Sequence, residues 1–310
     1  MNPTTTKTWS LRLLPLIASA VLLLTPGCKP KESVTAPGGS AAGVTIQNKG
    51  SDTMVNVAQV WAEEYKKTNP HVNIEVSGGG SGVGIAALTK GTIDIANASR
   101  NMKAEEIEQA KKNTGKTPKE FVVGHDALAI YVHKDNPITE ISNEQLAAIF
   151  AENGKITKWS ELGITLPGGQ DEIIRVSRQS SSGTYEFFRE HVLAKHDFKL
   201  GSRDMNGSKE VVELVASTAG AIGYSGMGYN EPGRVKMLKV SPKAGAPAVE
   251  PSVANTLNKS YPIARSLLIY TLGEPQGEVK NYIGWIMSAP GQQIVEKSGY
   301  VPMTAADHAR

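Results

Sequence analysis

The chain from Val44 onward repeats one pattern, a short apolar or alternating run followed by a polar turn and an amphipathic stripe. Val44-Thr45-Ile46-Gln47-Asn48 alternates with period two and predicts a strand. Met54, Ala58, Trp61 and Tyr65 fall on one helical stripe, so a helix is expected from about Met54 to Lys67, ended by Asn69-Pro70. Val72 to Val76 predicts a second strand, Val83 to Lys90 a short helix stopped at Gly91, and Ile93 to Ala96 a third strand. A helix from Ala104 to Lys112, acidic first and basic last, suits the helix dipole. Three β-turn-α units in succession predict a mainly parallel sheet with helices on its faces.

Two later runs are apolar almost throughout and predict buried crossing strands. One leads from Phe121-Val122-Val123-Gly124-His125-Asp126 into Leu128 to Val132; the other is Ser266 to Thr271. Between them lies a second α/β half. Ser142-Asn143-Glu144-Gln145 is a capping box, with Ile141 and Leu146 as its staple and a helix to about Phe150. Strands are expected at Glu172–Val176, Ala221–Ser225 and Val235–Val240, and a helix at Lys209–Ala219. Helices at about Val279–Met287 and Gly291–Lys297 close the chain. The reading is two lobes with crossovers near Gly124–Asp126 and Tyr261–Ala264.

In open α/β sheets ligands collect beyond the carboxyl ends of the strands. The turns expected there share one chemistry of glycine, hydroxyl and helix start. Arg178-Gln179-Ser180-Ser181-Ser182-Gly183-Thr184-Tyr185 is the fullest example: a guanidinium fork, four hydroxyls besides the tyrosine, and a helix whose first N–H groups lack partners. Such a turn can hold two oxygens of an oxyanion; a solvated arginine and a serine N-cap are the plainer reading. Ser77-Gly78-Gly79-Gly80-Ser81-Gly82 lacks both the lysine of an NTPase loop and the dinucleotide spacing, which disfavours nucleotides.

Charge narrows the partners. The formal net charge is +3, but residues 1–27 carry two of the 33 basic residues and none of the 30 acidic ones, so the remainder stands at 31 against 30, or +1. A near-neutral body argues against nucleic acid. The six histidines are scattered and no zinc-type spacing occurs. The single cysteine, Cys28, follows a basic n-region (Lys7, Arg12), an apolar run from Leu13 to Leu24, and Thr25-Pro26-Gly27. This resembles a bacterial lipoprotein signal peptide over 1–27, with Cys28 lipidated and the chain held at the cell envelope. Thr25 stands where that pattern has an aliphatic residue. Residues 28–43 are rich in Pro, Gly, Ser and Ala and predict a flexible tether.

Taken in order, Gly50-Ser51-Asp52-Thr53-Met54, Ser77 to Gly82, Asp94-Ile95-Ala96-Asn97-Ala98-Ser99-Arg100, Arg178 to Thr184, Ala221-Ile222-Gly223-Tyr224, Tyr261-Pro262-Ile263-Ala264-Arg265 and Gly291-Gln292-Gln293-Ile294-Val295 resemble the phosphate-binding members of the ABC-transporter substrate-binding proteins. The Arg-x-x-x-Ser-Gly-Thr element is the most specific part of a resemblance that covers nearly all of residues 44–305. It implies a type II periplasmic-binding-protein fold, with two α/β lobes joined by a two-strand hinge and the ligand cleft between them. Lobe I is then 44–125 with 263–310, and lobe II is 126–262. The implied role is capture of inorganic phosphate and its delivery to the membrane permease of an ABC importer, by a monomeric non-enzyme without cofactor or metal.

Carried over residue by residue, the resemblance makes the Thr53 hydroxyl, the Met54 N–H and the Ser81 hydroxyl and N–H anion contacts. Arg178 becomes the bidentate cation, and Ser182, Gly183 and Thr184 supply hydroxyls and N–H groups. Well-known members carry Asp where this chain has Arg100, which adds a cation. The role of accepting the phosphate proton then falls to Asp126, with Asp52 as runner-up; a hinge acceptor and a helix N-cap are their alternative roles. Other readings are capture of sulfate, molybdate or tungstate, a serine-dependent phosphomonoester hydrolase, and an adhesin or envelope sensor on the same fold.

Overall fold

The computed structural model describes residues 43–308, so the leader, Cys28 and nearly all of the tether lie outside the described residues. The first lobe builds β1 (Val44–Gly50), α1 (Val55–Thr68), β2 (Val72–Ser77), α2 (Ser81–Thr89), β3 (Ile95–Ala98) and α3 (Ala104–Thr114). β4 (Pro118–His133) then leaves it as one unbroken strand of 16 residues. Beyond it come β5 (Glu140–Ser142), α4 (Asn143–Phe150), β6 (Ile174–Arg178), α5 (Gly183–His191), β7 (Arg203–Met205), α6 (Ser208–Ala216) and β8 (Ala221–Gly226). β9 (Val235–Met237), β10 (Lys239–Ser241) and α7 (Val253–Leu257) follow. β11 (Ala264–Leu272) returns to the first lobe, and α8 (Gly277–Met287) and α9 (Ala289–Lys297) pack there.

The main sheet runs β2-β1-β3-β11-β4-β8-β6-β7, with β9 also on β4. The βα units pair parallel as expected, β1 with β2 and β3, and β6 with β7 and β8. The sheet is nonetheless mixed: β11 runs antiparallel to β3 and β4, and β4 antiparallel to β8 and β9. A chain that leaves a lobe on one strand and re-enters it on the next must reverse direction, which overturns the mainly parallel expectation. The strand expected at Val235–Val240 is also split. Leu238 is buried and donates its N–H to the Ile130 carbonyl, so β9 pairs with β4 while β10 pairs with β5.

Apolar side chains sort into four clusters, one on each face of each half-sheet. Ile46, Trp61, Val72 and Tyr282 lie in one, and Ile85, Leu88, Leu268 and Tyr270 in the one opposite. Leu128, Phe150, Trp159 and Phe188 lie in the third, and Ala129, Val176, Val211 and Val215 in the fourth. Each fully buried aliphatic or Phe side chain contributes about 1.5–3 kcal/mol. The two buried indoles also satisfy their N–H groups: Trp61 donates to Gly291 O (2.9 Å) and Trp159 to Gly220 O (3.0 Å). The capping box at α4 forms as expected, with Gln145 N on Ser142 Oγ at 3.1 Å and Ser142 N on Gln145 Oε1 at 2.9 Å.

β4 and β11 form a two-strand ribbon whose faces differ. Asp126 pairs in register with Arg265, and the neighbouring pair is His125 with Ser266. Side chains alternate across a strand, so these pairs project to opposite faces. On the His125 face the imidazole Nε2 meets Asp307 Oδ2 at 2.8 Å, and Asp307 also accepts from the N–H and hydroxyl of Thr304, both at 2.7 Å. Burial works against the Asp307 carboxylate, yet the hydrogen bonds from His125 and Thr304 prevail and hold its pKa at about 2. A carboxyl depressed in the folded state stabilises above its unfolded value, and that contribution is lost as pH falls through the folded value. Asp307→Asn is therefore expected to lower urea stability at pH 6. The gap to wild type should close between about pH 4 and 2; a gap constant over that range would reject the role.

Candidate functional site

Four turns meet against the other face of the ribbon. The β1–α1 turn brings Ser51, Asp52 and Thr53. The β2–α2 turn brings Gly79, Gly80 and Ser81, the end of β3 brings Ser99, and the β6–α5 turn brings Ser181 to Thr184. Ser51 Oγ donates to Ser99 Oγ (3.0 Å), Ser81 Oγ lies 3.3 Å from Ser99 Oγ, and Ser99 N donates to Ser81 Oγ (3.0 Å). Across the lobes, Thr53 Oγ1 and Thr184 Oγ1 are 2.9 Å apart. These hydroxyls are buried, where a polar group needs partners.

The glycines of the β2–α2 turn are there for close approach. Gly80 adopts φ +98°, and a Cβ on it would sit 2.4 Å from the Ser181 carbonyl oxygen. Gly82 N donates to that same carbonyl (2.9 Å), and Ser181 Oγ donates to Gly79 O (3.1 Å). Gly183 is as tightly held, since a Cβ there would lie 2.2 Å from Ser81 Oγ and 2.8 Å from Ser99 Oγ. The described lobes are closed on one another along this seam.

Two arginines border the hydroxyls. Arg178, at the end of β6, is buried. Its Nη2 donates to Asp52 Oδ2 (2.8 Å) and Asn206 O (2.9 Å), and its Nη1 to Ser208 Oγ (3.0 Å). Its Nε is buried with no partner among the described residues, so part of the guanidinium is uncommitted. Burial lowers the Arg178 pKa from its ordinary value, with Asp52 opposing the shift. Arg265 is the second, its Nε and Nη2 on Asp126 Oδ2 at 3.0 and 2.8 Å. Met227 N donates to Asp126 Oδ1 at 2.9 Å. Burial raises the Asp126 carboxyl above the usual range, although Arg265 pulls it back. Each arginine thus has its own carboxylate, which keeps buried charge tolerable.

Thr53, Ser81, Gly183 and Thr184 come together, and Arg178 adjoins them through Asp52 beside Thr53. Ser182 adopts the plainer role: its hydroxyl caps α5, accepting from Thr184 N (3.1 Å) and Tyr185 N (3.4 Å). Met54 is corrected. Its N–H closes a turn onto Ser51 O (3.0 Å) because Met54 itself is the N-cap of α1, and its side chain lies in the lobe core. Arg100 is corrected too. Glu106, in the first turn of α3, takes Nη1 at 2.8 Å and Nη2 at 2.7 Å, and Asn101 O takes Nη1 as well, so its terminal nitrogens are turned into its own segment, while Nε is buried with no partner among the described residues. Asp126 has three N–H donors on its two oxygens and sits as Arg265's counter-ion rather than as an open acceptor. Asp52 is not an N-cap: α1 has no side-chain cap, and Asp52 binds Gly79 N (2.7 Å) and Arg178 instead.

Sequence reasoning missed Arg265 as a site residue. The signal was present: β11 is otherwise apolar or hydroxylic, and Arg265 is its one charge, as Asp126 is the one acidic residue between Phe121 and Lys134. Opposite lone charges on two buried strands ask to be paired. The cavities of ≈ 500 Å³ beside β5 and β10 and ≈ 520 Å³ behind the ribbon do not gather this donor set. Among the described residues no group of three or more His, Cys, Asp and Glu is placed to hold a metal ion, and no helix is long and apolar enough to cross a membrane.

Comparison with known proteins adds four findings. Residues 35–290 match the family model of the PBP superfamily domain. The phosphate-binding protein PstS of Pseudomonas aeruginosa is 36% identical over 298 residues, covering 93% of this chain and 90% of that protein. The phosphate-binding protein PstS of Bacillus subtilis is 30% identical over 299 residues, covering 94% of each. A crystal structure of a substrate-binding protein from Clostridium perfringens, solved with bound phosphate, superposes with a TM-score of 0.74 at 33% identity, over 84% of this chain and all of that one.

Proposed function

The chain belongs to the phosphate-binding proteins of the PBP superfamily, and we propose that it captures inorganic phosphate by lobe closure and delivers it to an ABC-type importer. The observation that carries this is the seam itself, where hydroxyls of both lobes and two carboxylate-paired arginines converge around Thr53 and Thr184. Such groups match a tetrahedral oxyanion, whose four oxygens need many short donors once water is excluded.

In this reading the anion takes the hydroxyls of Thr53, Ser81 and Thr184, the Gly183 N–H at the start of α5, and the uncommitted Nε–H of Arg178. Arg100, Met54 and the Ser182 hydroxyl drop out of the contact set. The protein acts as a binder rather than an enzyme. Serine attack on a phosphomonoester would need a base at the hydroxyls, and His125 is turned to Asp307 on the far ribbon face. The N-terminal sequence supports export, with Cys28 acylated at the envelope membrane; mass spectrometry of the mature N-terminus decides that.

Titration calorimetry of the mature protein should show phosphate binding that sulfate does not match at neutral pH. Tighter sulfate binding would replace the assignment with another oxyanion. Gly183→Ala is the matched variant: its methyl blocks closure onto Ser81 and Ser99 without touching either lobe core. Its phosphate affinity should fall at least about tenfold, or about 1.4 kcal/mol, with the ligand-free melting temperature unchanged.

A further inference from the structure

Arg265 belongs to neither lobe's turns; it stands on the ribbon that joins them. Its five N–H groups divide into two edges. The inner edge, Nε with one N–H of Nη2, holds Asp126. The outer edge faces the seam: Nη1 donates to Thr184 Oγ1 (3.1 Å) and Ser99 O (3.3 Å), and Nη2 to Thr53 Oγ1 (3.3 Å). The Phe187 ring lies 5.5 Å from the guanidinium carbon. A carboxylate on one edge and an aromatic ring nearby fix the plane of the guanidinium, and its outer fork points at one threonine from each lobe. Thr53 and Thr184 are also the hydroxyls assigned above to the anion, so an oxyanion meeting both lies against that fork.

We propose that Arg265 is the second cation of the phosphate site, exchanging its contacts to Thr53 and Thr184 for two oxygens of the bound anion while Asp126 keeps its inner edge. Asp126 is then a positioning residue that orients the fork, in place of the proton acceptor expected for it. Because the fork reaches one threonine of each lobe, the same contact ties anion capture to closure. The inference rests on reading the seam as a phosphate site.

Titration calorimetry with inorganic phosphate on the full mature chain tests it, using wild type, Arg265→Lys and the double variant Asp126→Asn/Arg265→Gln, each also melted without ligand. Lysine keeps the charge and loses the fork, so Arg265→Lys should bind phosphate at least about tenfold more weakly, a difference of about 1.4 kcal/mol. The double variant removes both charges, so its melting temperature should stay near wild type while its phosphate affinity falls about 100-fold or more. That split separates anion contact from bracing, which would lower the melting temperature and spare the affinity. A double variant that binds phosphate like wild type would reduce Arg265 to a counter-ion and overturn the inference. Wild type that fails to bind phosphate would instead overturn the reading on which it rests.

Discussion

Replacing Arg178 with alanine is expected to weaken phosphate binding by at least about 100-fold while leaving the protein folded. The side chain is buried at the seam, and Nε plus one N–H of Nη1 remain uncommitted after Asp52, Asn206 and Ser208 are served. Truncating a desolvated charged partner typically costs about 2–5 kcal/mol of binding, and about 2.7 kcal/mol is 100-fold. Folding should survive, because the Asp52 side chain, 13% exposed, is near enough to solvent to hydrate once its partner is gone. Calorimetry with phosphate and circular dichroism on the same sample check both halves. Arg178→Lys should fall between, since it restores charge without the fork. Undiminished affinity in Arg178→Ala would remove this arginine from the contact set.

Replacing Asp126 with alanine should be the most damaging single change to stability, about 3–5 kcal/mol. It leaves the inner edge of the Arg265 guanidinium, whose side chain is 2% exposed, buried without its counter-charge. It also strips Met227 N of its acceptor. For a chain of this size a loss of that order lowers the melting temperature on the order of 10 °C. Urea unfolding at neutral pH measures it directly. Adding Arg265→Gln to Asp126→Asn should recover most of the loss, since removing both members of a buried pair is far milder than removing one. A single Asp126→Ala variant as stable as wild type would mean that the pair carries no net structural load.

Much of the molecule was legible in advance, and particular residues say why. β1, α1 and the capping box at Ser142–Gln145 depend on neighbours within a turn or two, which is the range over which hydrophobic period and caps act. The Arg178–Thr184 turn was legible for the same reason, because a guanidinium, hydroxyls and a helix start lie in seven consecutive residues. The split of Val235–Val240 into β9 and β10 was not legible: its apolar spacing fits one strand, and the sheet each end joins is chosen by β4 and β5, some 100 residues earlier. Arg100 misled for a different reason. Its position after Ser99 suggested the cleft, but Glu106, in the first turn of the helix that follows, claims its terminal nitrogens.

The sequence by itself determined which turns carry donors, that the chain has two α/β halves joined twice, and which family the order of motifs resembles. Those properties are local, or they are orders along a line. Only the tertiary structure decided which donors meet. It turned Arg100 and the Met54 N–H away, spent the Ser182 hydroxyl on a helix cap, gave Arg178 to Asp52, and set Arg265 between Asp126 and the two threonines. The first three are local contacts, but the pairings of Arg178 and Arg265 depend on strand register and lobe closure, which bring together groups more than 100 residues apart and leave no mark on any single stretch of sequence.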